Sequence, residues 1–279
     1  MSMLKNTTGL RRNTIDKYYT CSEVVSMCMR IIHDTILIDK NDLIIEPSAG
    51  NGAFIESMQS ITTNCEFLDL EPENDKIRKQ DYLSYSVRDD IHYNKIHVIG
   101  NPPFGRQSSM AIKFIKKSCE FCSTISFILP KSFKKESLQK TFPLCFHLVH
   151  ETDLPENSFL VNGEEHNVPC VFQIWIRKDF ERQVTEKLEP NHYKFVGIND
   201  EPDIAFRRVG VNAGTIHFRN IEEKSIQSHY FIKFTNNKSV EENIETLSCI
   251  NYDFNNTVGP KSISKQELIS KFNPLLEIR

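Results

Sequence analysis

A short run of residues in the first half of the chain is suited to holding a flat group that carries an NH2. The apolar run Ile96–Gly100 is followed directly by Asn101, Pro102, Pro103 and Phe104. Neither proline can donate a backbone hydrogen bond, and each fixes its own φ, so the chain leaves the predicted strand through a stiff bend. The bend offers an amide, backbone carbonyls and an aromatic ring, and two acceptors match the two N–H donors of an NH2. The alternative is an ordinary strand exit stiffened by prolines.

A second group of residues is suited to a nucleotide-like ligand. The apolar run Leu43–Ile45 ends in Glu46-Pro47-Ser48-Ala49-Gly50-Asn51-Gly52. Glycines in such a turn let the backbone approach a ligand closely, and the N-terminus of the next helix lies beyond them. A Gly-x-Gly pair alone is weak evidence. The strand before it, the acid at the strand end and the helix after it make the prediction stronger.

Acidic residues also follow the next predicted strand. The run Cys65–Asp69 is followed by Leu70 and Glu71, at the place where an α/β nucleotide site positions a carboxylate for ribose hydroxyls. An ordinary acidic loop is the alternative. Further on, Asp81 and Tyr82 offer a carboxylate and a ring to an adenine amino group and its face.

The elements that position these residues alternate along the chain. The apolar spacing predicts a helix from Ser22 to about His33, with Thr20 or Ser22 as its N-cap. Strands and helices then alternate up to the strand predicted at 168–177, which indicates an α/β doubly wound sheet. From about Glu181 the alternation stops, and short strand-like pieces indicate a small α+β appendage. We therefore expect a loose N-terminal arm at 1–14, a main domain at 15–180 and a separate region at 181–279.

The overall charge does not indicate a nucleic-acid partner. The 279 residues carry a formal net charge of −3, so such a partner must be held by local patches. One patch follows the Asn-Pro-Pro-Phe bend and includes Arg106, Lys131, Lys134 and Lys135. A second lies in the tail, where Arg207 and Arg208 precede a glycine-rich bend. A solvated helix face and an exposed hairpin turn are the alternatives to phosphate binding.

Cysteine usage and hydropathy bear on the cellular compartment. Eight cysteines are scattered without framework spacing, and neither a signal peptide nor an apolar run of membrane-spanning length is present. We expect reduced thiols, an intracellular location in cytoplasm or nucleus, and no membrane partner. Cys119 and Cys122 have metal-like spacing, but no second pair completes a zinc site, so no metal is predicted.

In their order, these motifs resemble those of S-adenosylmethionine-dependent N6-adenine methyltransferases. The resemblance rests on 46–54, 69–72, 81–82 and 101–104, together with Asp16–Thr20 and the later strand motif Phe127–Pro130. It covers 15 to about 178. It implies a class I methyltransferase Rossmann-like fold, with a mixed seven-stranded sheet, helices on both faces and a small C-terminal α+β appendage for target recognition. The implied cofactor is S-adenosyl-L-methionine.

The resemblance also implies a role for each motif residue. Glu46, Pro47, Gly50 and Gly52 would hold the methionine end of the cofactor, with Tyr18, Tyr19 and Thr20 closing over it. Asp69 would accept from the ribose hydroxyls, with Glu71 as the reserve candidate, and Asp81 and Tyr82 would contact the adenine. Asn101 and the Pro102 carbonyl would accept from the target amino group, Phe104 would stack on the target base, and Phe159 would supply a second stacking ring.

The expected chemistry needs no covalent nucleophile. Two acceptors that draw the protons of an exocyclic NH2 out of plane free the nitrogen lone pair for in-line attack on the sulfonium methyl. DNA adenine is the leading target. An RNA adenine-N6 or guanine-N2 enzyme, a protein glutamine N5-methyltransferase and a catalytically dead binding subunit are the alternatives. The near-neutral tail leaves room for a partner subunit or a second copy, which nothing in the sequence indicates.

Overall fold

A computed structural model of the chain describes residues 17–88, 90–183, 186–252 and 261–277. The predicted arm at 1–14 and Asp16 lie outside the described residues. The chain divides into two compact units, one up to Arg182 and one from Gln183, and each is described by itself.

The first unit contains ten described strands and four described α-helices. The strands are β1 (Tyr19–Thr20), β2 (Leu43–Glu46), β3 (Cys65–Asp69), β4 (Arg78–Lys79), β5 (Ile96–Gly100), β6 (Thr124–Pro130), β7 (Phe146–Asp153), β8 (Phe159–Val161), β9 (Glu164–His166) and β10 (Cys170–Arg177). The helices are α1 (Ser22–Thr35), α2 (Ile55–Gln59), α3 (Ser109–Ser118) and α4 (Glu136–Gln139).

Seven of these strands form one mixed sheet in the order β4-β3-β2-β5-β6-β10-β7. Strands β4, β3, β2, β5 and β6 are parallel, whereas β10 runs antiparallel to both of its neighbours, β6 and β7. The predicted mixed seven-stranded sheet is therefore confirmed. The carboxyl ends of β2, β3 and β5 lie side by side, which brings the predicted motifs to one edge.

The sheet is packed on both faces. Successive side chains of its central strands point to opposite sides and enter two different apolar cores. In β2, Ile44 packs into a core with α1 and α2, whereas Leu43 and Ile45 pack into a second core with α3. All three side chains are at most 1% exposed. Successive strand residues point to opposite faces, so a continuous apolar run is the pattern of a strand buried on both sides.

A separate three-stranded sheet joins the start of the unit to a hairpin far along the chain. Its order is β1-β8-β9, and Thr20 of β1 pairs with Phe159 of β8. Helix α1 begins directly after β1, with Cys21 at the N-cap position and no side-chain capping hydrogen bond. The predicted N-caps, Thr20 and Ser22, were wrong because Thr20 belongs to the strand ladder and Ser22 is already helical.

The second unit is an α+β unit with its own core. Its described elements are β11 (Tyr193–Val196), β12 (Ile204–Arg207), β13 (Ile216–His217), β14 (His229–Phe234), α5 (Val240–Leu247) and α6 (Lys265–Leu276). The four strands form an antiparallel sheet in the order β11-β14-β12-β13. Residues from this sheet and from both helices, including Phe206 and Phe272, share one apolar cluster.

Within the described residues, no helix is both long and apolar enough to span a bilayer.

Candidate active site

A cavity opens at the carboxyl edge of the seven-stranded sheet. Its walls come from the N-terminal segment at 17–20, the turn after β2, the end of β3, the segment at 80–82 and the bend after β5. Every cofactor residue predicted from the sequence lines it except Gly52, whose neighbours Asn51 and Ala53 do. The structure thus assembles residues that are far apart in the chain, as expected for a crevice at strand carboxyl ends.

The turn after β2 requires glycine at two positions. Gly50 has φ +53° and Gly52 has φ +88°, values that L side chains adopt with strain. A Cβ on Gly50 would also lie 3.1 Å from Cε1 of Tyr19. The Tyr19 ring therefore lies directly over the turn, which places the N-terminal segment against the cavity wall.

Glu46, the last residue of β2, is a buried carboxyl group with an unmet hydrogen-bonding requirement. It is 2% exposed, and its Oε2 has no hydrogen-bond partner among the described residues. Burial, with a contribution from nearby Asp69, raises the pKa of Glu46 well above its ordinary value. An unpaired buried polar atom is costly, so this carboxyl group fits a ligand that brings a positive charge or N–H donors.

Two acidic residues, Asp69 at the end of β3 and Glu71 just beyond it, are the predicted candidates for the ribose hydroxyls. Asp69 accepts from the backbone N–H of Gly50 and of Glu71, each at 2.8 Å, one on each carboxylate oxygen. It therefore holds the glycine turn in place. Glu71 is exposed, lines the cavity and lies 3.3 Å from Lys17 Nζ. Both remain candidates for ribose, and the reserve candidate Glu71 is the less engaged of the two.

The segment at 81–82 contains an exposed carboxylate, that of Asp81, and a buried ring, that of Tyr82. Asp81 accepts from the backbone N–H of Leu83 at 2.9 Å through Oδ1 and is exposed at the cavity wall. Tyr82 is only 1% exposed, and its hydroxyl is 2.7 Å from Ser118 Oγ. Tyr82 lines the cavity, so its contact with the adenine of the cofactor stays a prediction, while most of its ring packs in the core beside α3.

Asn101 is held on two sides at the mouth of the bend after β5. Its Nδ2 donates to the Tyr18 carbonyl at 3.2 Å and to Thr20 Oγ1 at 3.3 Å. Ser48 Oγ donates to its backbone carbonyl at 3.0 Å. No described residue donates to Asn101 Oδ1 or to the Pro102 carbonyl. Two acceptors are thus left unengaged at neighbouring residues.

Phe104 is half-buried and lines the cavity beside them. Its carbonyl accepts from the N–H groups of Met110 and Ala111 at the start of α3. The chain between them is strained, because Gln107 and Ser108 both have positive φ, at 53° and 62°. Strain of this kind persists where surrounding structure enforces it, commonly at functional sites.

The N-terminal segment is fastened across the cavity by a small polar cluster. Tyr19 donates its hydroxyl proton to Glu73 Oε1 at 2.5 Å, and Lys17 Nζ lies 2.8 Å from the same oxygen. Burial and the bond to Glu73 raise the pKa of Tyr19 to about 12. Sequence patterns did not predict roles for Lys17, Glu73 and Ser48, because the role of each depends on a partner far away in the chain.

Phe159 does not lie where a target base could stack on it. Its side chain is 0% exposed in β8 and meets the Tyr18 ring edge-on, with 6.2 Å between ring centroids. The predicted second stacking ring is therefore a core residue that supports the N-terminal segment.

Several of the predicted phosphate-binding residues form ion pairs or hydrogen bonds within the protein. Lys131 and Lys134 lie 3.2 and 2.8 Å from the same carboxylate, Asp153, whose pKa they lower against the effect of burial. Arg106 is exposed near Phe104, and Lys135 is half-buried. In the second unit, Arg207 donates to the Val209 carbonyl and Arg208 to the Gln227 carbonyl. No group of three or more potential metal ligands occurs among the described residues.

The order of the seven strands, with β10 reversed between β6 and β7, is that of the class I methyltransferase Rossmann-like fold. The unpaired Glu46 oxygen, the glycine turn and the exposed Asp81 carboxylate are compatible with S-adenosylmethionine, the cofactor that the sequence resemblance implies.

No protein-family model matches the chain. The chain is similar to Protein ENHANCED DOWNY MILDEW 2 of Arabidopsis thaliana, with 22% identity over 271 residues, covering 87% of this chain and 20% of that protein. The chain thus spans about a fifth of that relative's length.

Solved structures with similarity to the chain are distant. PH1948 from Pyrococcus horikoshii, a proposed RNA methyltransferase, has a TM-score of 0.46 at 14% identity, covering 60% of this chain and 90% of that one. The 23S rRNA methyltransferase ErmE has a TM-score of 0.41 at 14% identity, covering 56% and 69%. The N-methyltransferase NodS from Bradyrhizobium japonicum WM9 has a TM-score of 0.41 at 10% identity, covering 56% and 96%.

Proposed function

We propose that the chain is an S-adenosylmethionine-dependent methyltransferase that transfers a methyl group to the N6 amino group of adenine in nucleic acid, with DNA as the favoured polymer. The observation that carries the proposal is the state of Asn101. Its amide nitrogen is occupied by the N-terminal segment, while its Oδ1 and the Pro102 carbonyl have no donor among the described residues. Two fixed acceptors at one bend match the two protons of an exocyclic NH2.

The cofactor would occupy the cavity with its methionine end at Glu46 and the glycine turn. The buried Glu46 carboxylate would gain the α-ammonium group as the partner that its Oε2 lacks. Glu71 or Asp69 would accept from the ribose hydroxyls, and Asp81 from the adenine amino group. When bound, S-adenosylmethionine supplies an electrophilic sulfonium methyl group.

The target amino group would be held by Asn101 and Pro102, with its ring against Phe104. An exocyclic NH2 is a poor nucleophile because its lone pair is delocalised into the ring. Acceptors that pull both protons to one side favour a tetrahedral nitrogen, so catalysis is by positioning and preorganised electrostatics. Stacking on Phe104 would contribute about 1–3 kcal/mol. In a duplex the base would first be flipped out, at a cost of about a few kcal/mol.

A panel of substrates tests this function. The full chain is incubated with methyl-labelled S-adenosylmethionine and, separately, with duplex DNA, single-stranded DNA, RNA and a protein extract, and the labelled product is hydrolysed and identified. We expect N6-methyladenine from DNA. Label only in RNA would change the polymer, label as 2-methylguanine or in glutamine would overturn the adenine target, and no transfer with intact cofactor binding would favour a binding subunit.

The arginine pair of the second unit is proposed to contact phosphates. Replacing Arg207 and Arg208 together by alanine should weaken nucleic-acid binding and reduce the slope of log affinity against log salt by about 1 to 2, one for each lost phosphate contact. The matched control is Lys194→Ala plus Lys233→Ala, a paired change on strands β11 and β14 of the same sheet. An unchanged slope in the arginine variant would return this bend to the status of an ordinary hairpin.

A further inference from the structure

The hydrogen bonds of Asn101 define which way its side-chain amide faces. A backbone carbonyl can only accept, so the atom 3.2 Å from the Tyr18 carbonyl must be the NH2 nitrogen of the amide. Thr20 Oγ1 lies 3.3 Å from the same nitrogen. Both N–H groups therefore have acceptors on the N-terminal segment, and the amide oxygen faces away from that segment.

Thr20 is itself held rigidly. Its side chain is 6% exposed, and its backbone pairs with Phe159, which is fully buried. A β-branched residue in a strand has restricted χ1 freedom, so the hydroxyl has few alternative positions. The β1–β8 pairing thus fixes the position of the Thr20 hydroxyl oxygen, which accepts from the Asn101 amide beside the Tyr18 carbonyl.

The main chain of Asn101 is fixed from the opposite side. Ser48, in the turn after β2, donates to the Asn101 carbonyl at 3.0 Å, and Pro102 follows directly in sequence. With its backbone restrained, Asn101 retains freedom mainly in its side-chain torsions. The terminal torsion of an asparagine is broad and nearly two-fold, so it is the one that needs an external restraint.

We propose that Thr20 is a positioning residue that, together with the Tyr18 carbonyl, holds the orientation of the Asn101 amide, so that Oδ1 and not NH2 meets the amino group of the substrate. The inference rests on the proposed function and deepens it. A flipped amide would present donors to a donor, which repels the target amino group. Thr20 also lines the cavity, and its proposed effect on transfer acts through Asn101.

The test compares Thr20→Val with Thr20→Ser in the full chain. Valine keeps the shape and the β-branched backbone preference but removes the acceptor, whereas serine keeps the acceptor. We expect Thr20→Val to lower the single-turnover rate of methyl transfer about tenfold, as for the loss of one hydrogen bond in a preorganised site. Single-turnover rates are measured at saturating S-adenosylmethionine, so that a change in cofactor affinity at this cavity-lining residue does not enter the rate, and Thr20→Ser should restore most of the rate.

Thr62→Val is the matched control, because Thr62 is also a buried threonine with a hydrogen-bonded hydroxyl, which donates to the Lys40 carbonyl, yet it lies outside the cavity. It should lower the melting temperature without slowing transfer. An equal slowing in both variants would show a general stability effect and overturn the proposal.

A second readout does not depend on activity. The side-chain NH2 signals of Asn101, assigned by their loss in Asn101→Ala, should move in the ¹⁵N–¹H spectrum of Thr20→Val and stay in place in Thr62→Val. Unmoved signals, or a transfer rate in Thr20→Val equal to that of the unaltered chain, would overturn the positioning role. Absence of transfer by the unaltered chain to every substrate would instead refute the proposed function, while the spectrum would still report on the Asn101 contact.

Discussion

Asp42 and Glu46 lie at opposite ends of strand β2, and both carboxyl groups are almost completely buried, at 1% and 2% exposure. At the amino end, Asp42 has partners on both oxygens: the backbone N–H of Lys95 at 3.0 Å on one, and the N–H of Asp39 at 2.7 Å and His97 Nε2 at 3.1 Å on the other. The other ring nitrogen of His97, Nδ1, lies 2.8 Å from Thr124 Oγ1, so both ring nitrogens have hydrogen-bond partners.

At the carboxyl end of β2, by contrast, polar groups are left without partners among the described residues. Glu46 Oε2 has no partner, and the acceptors at Asn101 and Pro102 have no donor among the described residues. Buried polar groups in folded proteins are normally hydrogen-bonded, so unmatched ones require an explanation. At the amino edge the buried acid Asp42 is fully paired within the protein, and we propose that Glu46 and Asn101 at the carboxyl edge are kept for ligands. Variants at the two edges should therefore fail in different ways.

The largest effect is expected for Asn101→Ala. Removing the amide oxygen should lower single-turnover methyl transfer by about a thousandfold, in the range found when one preorganised polar contact is lost. Affinity for S-adenosylmethionine, measured by calorimetry, should change little. Asn94→Ala, an exposed asparagine before β5 at the amino edge, is the control and should transfer normally. A parallel loss of cofactor binding in Asn101→Ala would mean that Asn101 serves the cofactor and not the target.

Asp42→Ala should lower the stability of the protein without lowering its affinity for the cofactor. It leaves two backbone N–H groups and His97 without their acceptor inside the protein, so we expect the free energy of unfolding to fall by about 3–5 kcal/mol in urea titrations. Asp90→Ala breaks an exposed pair with Arg88 and should leave the free energy of unfolding almost unchanged. At a temperature where the variant is folded, its affinity for the cofactor should be normal. A loss of cofactor affinity in the folded Asp42→Ala variant would contradict the different roles assigned to the two edges of the sheet.

Glu46→Gln should weaken cofactor binding without lowering stability, which is the reverse of the pattern expected for Asp42→Ala. The pKa of the Glu46 carboxyl group is raised by burial and by Asp69, so in the free protein the group holds its proton above its ordinary range. An incoming ammonium group needs the carboxylate, so binding releases that proton, and affinity should rise with pH up to the raised pKa and then level off. Glutamine should lower the affinity about 10- to 100-fold and abolish this pH dependence.

The same substitution should leave the free protein at least as stable as before at neutral pH. A raised folded-state pKa means that burial of Glu46 favours the folded state only while the group is protonated, and this contribution is lost as pH rises. Glutamine carries no such penalty. A melting temperature that falls sharply in Glu46→Gln would place Glu46 with the structural acids and contradict the contrast with Asp42.

The smallest effect is the pH dependence of stability due to His97. Burial lowers the pKa of His97 below the ordinary value of 6.5. The unfolded chain therefore takes up the proton first, so stability should fall as pH drops from about 6.5 toward the lowered value, by at most about 1.4 kcal/mol per pH unit. His97→Asn should flatten this part of the stability curve relative to the unaltered chain. An identical slope in both would mean that His97 does not titrate on unfolding.

Much of the first unit could be predicted because its strands are buried on both faces and appear as apolar runs. The run Ile96–Gly100 matches β5, and the strand predicted at 168–177 matches β10 to within two residues. The glycine turn and the bend at Asn101 were predictable as well, because both depend on local backbone restrictions of glycine and proline.

Other residues could not be assigned in this way because their roles depend on partners distant in sequence. Phe159 has the residue type of a stacking ring, and only its pairing with Thr20 makes it a core residue. Asp69 stands at the expected strand end, yet its oxygens accept from Gly50 and Glu71. In the tail a readable signal was missed: Ser239 with Glu242, and Ser264 with Glu267, form capping boxes at the starts of α5 and α6.

The pairing of β1 with β8 has a consequence for the biosynthesis of the protein. Within this unit, the segment that orients Asn101 is synthesised before the strands of the large sheet, but the strand that anchors it emerges only after most of the unit has been made. Contacts between residues so far apart close late, since their loop entropy must be offset by structure already formed. A nascent chain that ends before Phe159 carries the glycine turn, the acids and Asn101 but lacks this anchor. Competence for methyl transfer should therefore be acquired at the last step of folding of this unit.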